Sequence, residues 1–170
     1  DLVAVVVRRI TSIDGLQASA EPVDPDLWLR VESFSLMQAM AYLADRLAQE
    51  FAVRRVVVRL GASGAHAQLD LVWHGTVMST ETVMSWELDA IRIGAESMPL
   101  TVRDVVERHG GAFWFERERT RHEAWFRILL PLGARDAQLA TQTPTLKPED
   151  NRPAFYDFDL FKTSDKARDL

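Results

Sequence analysis

Thr101-Val102-Arg103-Asp104-Val105-Val106-Glu107-Arg108-His109-Gly110-Gly111 runs straight into Ala112-Phe113-Trp114-Phe115-Glu116, and further on the chain reaches Ala124-Trp125-Phe126-Arg127-Ile128-Leu129-Leu130-Pro131-Leu132. In the first stretch Val102, Val105 and Val106 recur at helical spacing, and glycine just past the last periodic residue is a helix stop. The other two stretches are aromatic and β-branched and read as strands, with the polar segment from Arg117 to Glu123 as the turn between them. A helix followed by a β-hairpin is expected here.

Outward from that stretch, Leu36, Met37, Met40, Leu43, Leu47 and Phe51 repeat at helical spacing through Ala-rich sequence, with Ser33 or Ser35 as the expected N-cap. Val53 to Leu60 reads as a strand, Gly61-Ala62-Ser63-Gly64 as a turn, and Gln68 to Trp73 as the alternating partner strand. Upstream, Leu16 to Ala20 and Leu27 to Val31 are strand candidates separated by turn residues, and together read as another hairpin. The first residues, Asp1 to Ile13, fit a helix capped by Asp1, although Val5, Val6 and Val7 would equally suit a strand. Thr76 to Met98 has no clean period; Trp86, Leu88, Ile91 and Ile93 point to a segment partly folded down on the domain.

The chain has 170 residues, 47% of them apolar, enough for one core and a tail. A net charge of −5 argues against a dedicated nucleic-acid binder, leaving room only for a local patch. Cysteine is absent, which removes disulfides, zinc knuckles and thiol nucleophiles. The longest apolar run, Leu2 to Val7, is far short of the roughly 20 residues of a membrane span, and no signal pattern precedes it. A cytoplasmic segment with no membrane contact of its own is the expectation, and an opening on Asp1 rather than Met points to a piece of a longer protein. His66, His74, His109 and His122 stand at no metal-ligand spacing, so no metal site is expected.

Val105-Val106-Glu107-Arg108-His109-Gly110-Gly111, followed by a hairpin that closes on Leu130-Pro131-Leu132, resembles the last third of the histidine-kinase-type ATPase domain, the GHKL or Bergerat fold. The resemblance is clear from Val102 to Leu132 and fainter back to about Asp26. It implies an α/β (α+β) fold, a two-layer sandwich in which a mixed, mostly antiparallel sheet packs on helices. It also settles the first segment as a helix, makes Thr76 to Met98 the lid over the nucleotide, and divides the chain into an ATPase-like domain over 1–133 and a linker and tail over 134–170.

The same resemblance names the positions that touch Mg-ATP in such domains. The magnesium-holding helix asparagine is replaced by Arg46, with Tyr42 at an earlier asparagine. Arg46 can contact phosphate directly or pair with Asp45 or Glu50 on its own helix. The adenine-reading aspartate of a D-x-G-x-G motif falls on Trp73-His74-Gly75-Thr76-Val77, so Trp73 stands for the aspartate and Val77 for the second glycine. An indole there can stack on a base or simply fill the pocket. The glycine-rich phosphate turn becomes Gly94-Ala95-Glu96-Ser97-Met98-Pro99-Leu100, with Pro99 read as helix-start chemistry. Arg46, Trp73, Gly75, Gly94, Ser97 and Thr101 are therefore the candidate cofactor-binding residues of a degenerate pocket, and no catalytic residue is expected.

The function expected is a histidine-kinase-like ATPase domain that no longer binds Mg-ATP and serves as a regulatory or interaction module in a multidomain bacterial protein. ATP and Mg are its cofactors only if that degenerate pocket still binds. One alternative keeps ATP binding, as part of a sensor histidine kinase. Another makes the chain an accessory domain of a DNA polymerase III epsilon-like 3′-to-5′ exonuclease, because Arg152 to Phe161 resembles the lead-in to such exonuclease domains. Thr141 to Asp150 reads as a linker, and Phe155, Tyr156, Phe158, Leu160 and Phe161 as a segment that docks on this or a following domain, with Asp157 and Asp159 as solvated charges. The expected partners are other domains of the parent protein and a second copy in a homodimer, with nucleic acid reached only through a downstream domain.

Overall fold

The structure, a computed structural model, describes residues 1–75 and 78–132. Expectations for Thr76, Val77, the linker and the aromatic tail, including the boundary at 133, lie outside the described residues.

Helix α1 (Leu2–Thr11) begins where the Asp1 carboxylate accepts a hydrogen bond from the Ala4 amide at 3.3 Å, and it buries Val3, Val6 and Ile10. Helix α2 (Ser33–Phe51) is the spine of the helical layer, with Leu36, Ala39, Met40, Leu43 and Leu47 all buried. Its cap is neither serine: Glu32 occupies the N-cap, its carboxylate accepting from the amides of Phe34 and Ser35, both at 2.9 Å. A longer acid loops back to the same orphan amides that a serine would have served.

The sheet has five strands in the order β1-β2-β3-β7-β6, comprising β1 (Gln17–Ala20), β2 (Arg55–Ser63), β3 (His66–His74), β6 (Ala112–Glu118) and β7 (Glu123–Pro131). Three ladders are antiparallel and β1 runs parallel to β2, the mixed, mostly antiparallel sheet expected. Val56, Val58, Leu60, Leu69, Leu71, Phe126, Ile128 and Leu130 point into the core against α1 and α2. On the opposite face Asp70 is only 1% exposed, because Arg127 grips it through Nε and Nη2 at 2.8 Å each and Arg59 Nε adds a contact at 3.2 Å.

Several local expectations change. Leu16–Ala20 and Leu27–Val31 do not form a hairpin: only Gln17–Ala20 is a strand, its partner is β2, and Leu29 makes one isolated bridge to Leu132. Gly61, Ala62 and Ser63 belong to β2, and the turn is Gly64-Ala65. The lid segment contains helix α3 (Thr80–Leu88) and a separate two-stranded pair, β4 (Ala90–Ile93) with β5 (Glu96–Thr101). Trp86, Ile91 and Ile93 are buried as expected, whereas Leu88 is 48% exposed at the end of α3.

Pro99 is not at a helix start but in β5, an edge strand where a missing N–H is tolerated. Helix α4 (Val102–Arg108) begins later, at a capping box in which the Thr101 hydroxyl accepts from the Asp104 amide and the Asp104 carboxylate accepts from the Thr101 amide. Beyond α4 the chain passes so close to β7 that a Cβ on Gly111 would collide with the Leu129 carbonyl oxygen. His109 ties this corner together: its Nδ1 lies 2.7 Å from the Val105 carbonyl oxygen and its Nε2 accepts from the Glu32 amide at 2.9 Å. That pair of bonds defines the neutral tautomer with the proton on Nδ1.

Candidate functional site

Tyr42, Asp45, Arg46 and Gln49 lie three and four residues apart on α2 and so share the face turned to β4. With Asp89 and Gly94 opposite, they enclose a cleft of about 430 Å³. A neighbouring cleft of about 550 Å³ shares Asp45, Gln49 and Gly94 and is walled by Arg9, Arg54 and Glu96.

Arg46 is held from four sides. Its Nη2 is 2.7 Å from Glu50 and 3.9 Å from Asp89, and its guanidinium lies over the rings of Trp86 at 5.4 Å and Tyr42 at 5.9 Å. Of the two pairings expected on its own helix, Glu50 is the one made, while Asp45 accepts instead from Gln49 at 2.7 Å. Two buried polar atoms facing this region have no partner among the described residues, Arg46 Nε and the Tyr42 hydroxyl. Burial pushes the Tyr42 phenol above its usual range, the desolvated phenolate being the disfavoured form.

Trp73 is 1% exposed. Alternation along β3 sends it inward, onto Phe126 at 5.0 Å and Phe115 at 5.9 Å. Trp86, also 1% exposed, comes from α3 to meet Phe126 at 6.0 Å and Phe51 at 5.8 Å, and its Nε1–H donates to Glu50 at 3.3 Å. Glu50 thus binds both Arg46 and Trp86, locking the lid helix to α2.

The third group, Gly94, Ser97 and Thr101, forms no cradle. Gly94, at φ +57°, makes the β4–β5 turn, a backbone state glycine enters without strain. Ser97 pairs with Arg92 in that hairpin, and the Thr101 hydroxyl is already the cap of α4. The structure therefore brings Arg46 and Gly94 to one cleft and sets Trp73 in the core behind it. Gly75 lies in another cleft beside Arg117, Arg119 and His122, its amide bonded to the His122 carbonyl at 3.0 Å. Trp86 and Asp89 were not expected here. Trp86 was legible as an inward aromatic, but nothing local tied it to Arg46.

These residues do not fit Mg-ATP as the family holds it. At the positions the resemblance assigns to the ligand, Arg46 brings a guanidinium, which cannot ligate magnesium, Trp73 brings an indole in place of a carboxylate, and Ser97 lies in strand β5 and not at a helix N-terminus. Among the described residues no group of three or more His, Asp or Glu stands at metal-binding geometry.

No family model matches the chain. A DNA polymerase III subunit epsilon-like protein of Rhodobacter capsulatus is 32% identical over 140 residues, covering 82% of this chain and 19% of that protein. The chain therefore spans about a fifth of that relative's length. Among solved structures, the ATP-binding domain of PrrB from Mycobacterium tuberculosis superposes with a TM-score of 0.58 at 15% identity, covering 79% of this chain and 96% of that one. The mycobacterial sensor histidine kinase MprB gives 0.55 at 21% identity over 77% and 93% of the two chains. The histidine kinase domain of the Escherichia coli osmosensor EnvZ gives 0.56 at 18% identity over 78% and 87%. The chain has the fold of the histidine-kinase ATP-binding domain.

Proposed function

We propose that this domain is a histidine-kinase-type ATPase fold whose nucleotide site is closed by its own side chains, working as a regulatory or interaction module of a longer bacterial cytoplasmic protein. The observation that carries the reading is the pair of tryptophans: Trp73 in the aspartate's place, and Trp86 clamped between Arg46, Glu50 and Phe51. Both spend their surface on the protein's own core instead of on a base. The similarity to an epsilon-like protein about four times longer supports an accessory place beside a nuclease, with other domains of that protein, or a second copy of this one, as partners.

A second reading, the ATP-binding domain of a sensor kinase, draws support from the cleft of about 430 Å³ and the unpartnered Arg46 Nε and Tyr42 hydroxyl beside it. Of the six candidate residues, Arg46 and Gly94 line that cleft and would then meet the ligand. Titration calorimetry with an ATP analogue and magnesium, paired with thermal melting in the same mixture, separates the two. The closed-site reading predicts no heat and no rise in Tm at millimolar ligand. Ligand at a hundredfold excess over Kd would add about 2.7 kcal/mol of stability. Micromolar binding lost in Arg46→Ala would overturn the closed site in favour of the kinase reading.

A further inference from the structure

At the end of the sheet where β2 begins, β3 ends and β6 turns into β7, five arginines gather: Arg54, Arg55, Arg117, Arg119 and Arg121. All five are exposed. None makes an ion pair or side-chain hydrogen bond among the described residues, whereas Arg9, Arg46, Arg59, Arg103 and Arg127 are each tied to a carboxylate. Asp14, Glu118 and Glu123 also lie at this end, Asp45 and Glu96 share a cleft with Arg54, and Glu123 already faces His74 Nε2 at 3.4 Å. His74, itself 68% exposed in its side chain, and His122 lie at the same end. Beside the turn a shallow cleft of about 250 Å³ runs between Gly75 and Arg117, Arg119 and His122, and a Cβ on Gly75 would meet nothing within 4 Å.

We infer that this end of the sheet is a contact surface for the phosphate backbone of DNA. Unpaired guanidiniums match phosphate geometry and charge, and phosphate contacts need no apolar anchor. A protein partner does need one. Among the described residues the exposed large apolar side chains, Val5, Trp28, Phe34, Met84 and Leu88, lie in α1, α2, α3 and the loop before α2, none of them in the strands or turn that make this end. In a chain of net charge −5, the excess is local, which orients the domain on a polyanion instead of coating it. The inference stands apart from the closed nucleotide site, since DNA and ATP are read by different assays.

The test is fluorescence anisotropy of a labelled 30-base-pair duplex titrated with the 170-residue chain between 50 and 200 mM salt. Each phosphate neutralised contributes about −0.9 to the slope of log K against log salt. Arg117→Glu/Arg119→Glu/Arg121→Glu should weaken binding at least tenfold and flatten that slope by about 2–3. Arg8→Glu/Arg30→Glu/Arg108→Glu, the same change in charge at exposed sites elsewhere, should leave the slope within about 1 of the parent. Melting curves of both variants check that they fold. No binding at 50 mM salt, equal weakening by the two sets, or capture on phosphatidylserine vesicles without binding to DNA would each overturn the inference.

Discussion

Replacing Trp86 with alanine should destabilise the domain by about 3–4 kcal/mol. The indole is 1% exposed, and burial of a tryptophan of about 200 Å² at roughly 25 cal/mol per Å² sets an upper bound near 5 kcal/mol. Measured aromatic-to-alanine losses of about 3–5 kcal/mol fall in the same range. Two losses add to the cavity: Glu50 forfeits the Nε1–H donor at 3.3 Å, and Arg46 forfeits the ring beneath its guanidinium. Against them, Glu50 keeps Arg46 at 2.7 Å, so no charge is stranded. With an m-value of about 1.5–2 kcal/mol/M in urea, the midpoint followed by far-UV circular dichroism should fall by about 2 M. Trp86→Phe keeps the contacts with Phe51 and Phe126 but not the donor, and should lose about 1 kcal/mol. Added indole should restore part of the alanine variant's stability by filling the void. A midpoint shift below about 0.5 M for Trp86→Ala would refute the reasoning, because it would mean α3 is not fastened to α2 by this ring.

Three further outcomes are expected. Asp70→Asn removes the charge of a carboxylate 1% exposed that Arg127 and Arg59 share, and because Arg127 keeps Glu116 at 3.5 Å, Arg59 keeps Glu21 at 3.8 Å and their side chains are 16% and 31% exposed, part of the loss is relieved. The full penalty of about 3–5 kcal/mol for breaking a buried pair shrinks to about 2–3 kcal/mol, read by thermal melting; under about 1 kcal/mol would contradict the geometry. Gly111→Ala drives a methyl into the Leu129 carbonyl and should lose about 2–3 kcal/mol, against about 1 kcal/mol for Gly94→Ala, which meets only the left-handed backbone penalty. The Glu32 carboxyl is held below its ordinary 4.5 by the Ser35 hydroxyl and the amides at the start of α2, and Asp104 below its ordinary 3.8 by the Thr101 amide and hydroxyl. Both folded values are depressed, so their contribution is complete above the unfolded values and is lost as pH falls through them. Tm should be flat from pH 8 to 6 and drop below about pH 5, less steeply in Glu32→Gln/Asp104→Asn; an unchanged slope in that variant would rule these caps out as the cause.

The last third of the domain was legible because its determinants are local. Val102, Val105 and Val106 specify one helix face, Gly110 and Gly111 end it, and the aromatic alternation of Phe113 and Phe115 against Phe126 and Ile128 sets the register. Helix α2 was legible for the same reason, and so was the Arg46–Glu50 pairing at four-residue spacing. The errors lie where pairing is non-local or the local code is ambiguous. Gln17–Ala20 finds its partner at Arg55–Val58, across the whole of α2, while the turn-rich segment between Glu21 and Asp26 advertises a nearby hairpin that does not form. In α3 only Val83 and Trp86 are buried, too few to generate a period. Pro99 read as a helix start because nothing local announces that Thr101 and Asp104 close the capping box after it. For the site, substitution at Arg46 and Trp73 could be seen by position. That Trp86 packs against Arg46, Glu50 and Phe51 could not.

On the closed-site reading, nucleotide binding becomes a question of competition. A nucleotide entering between α2 and α3 must first lift the Trp86 indole off Phe51, Phe126 and Glu50. If the indole is worth about 3–4 kcal/mol where it sits, an opened conformer is populated at roughly one part in several hundred, and apparent affinity falls by that fraction. An intrinsically micromolar ligand would then bind close to the millimolar range. The two assays are therefore linked. If Trp86→Ala gives the expected stability loss and ATP still binds the parent chain at micromolar concentration, the ligand cannot be passing beneath α3. It must use the open cleft of Arg46 and Gly94 from the solvent side.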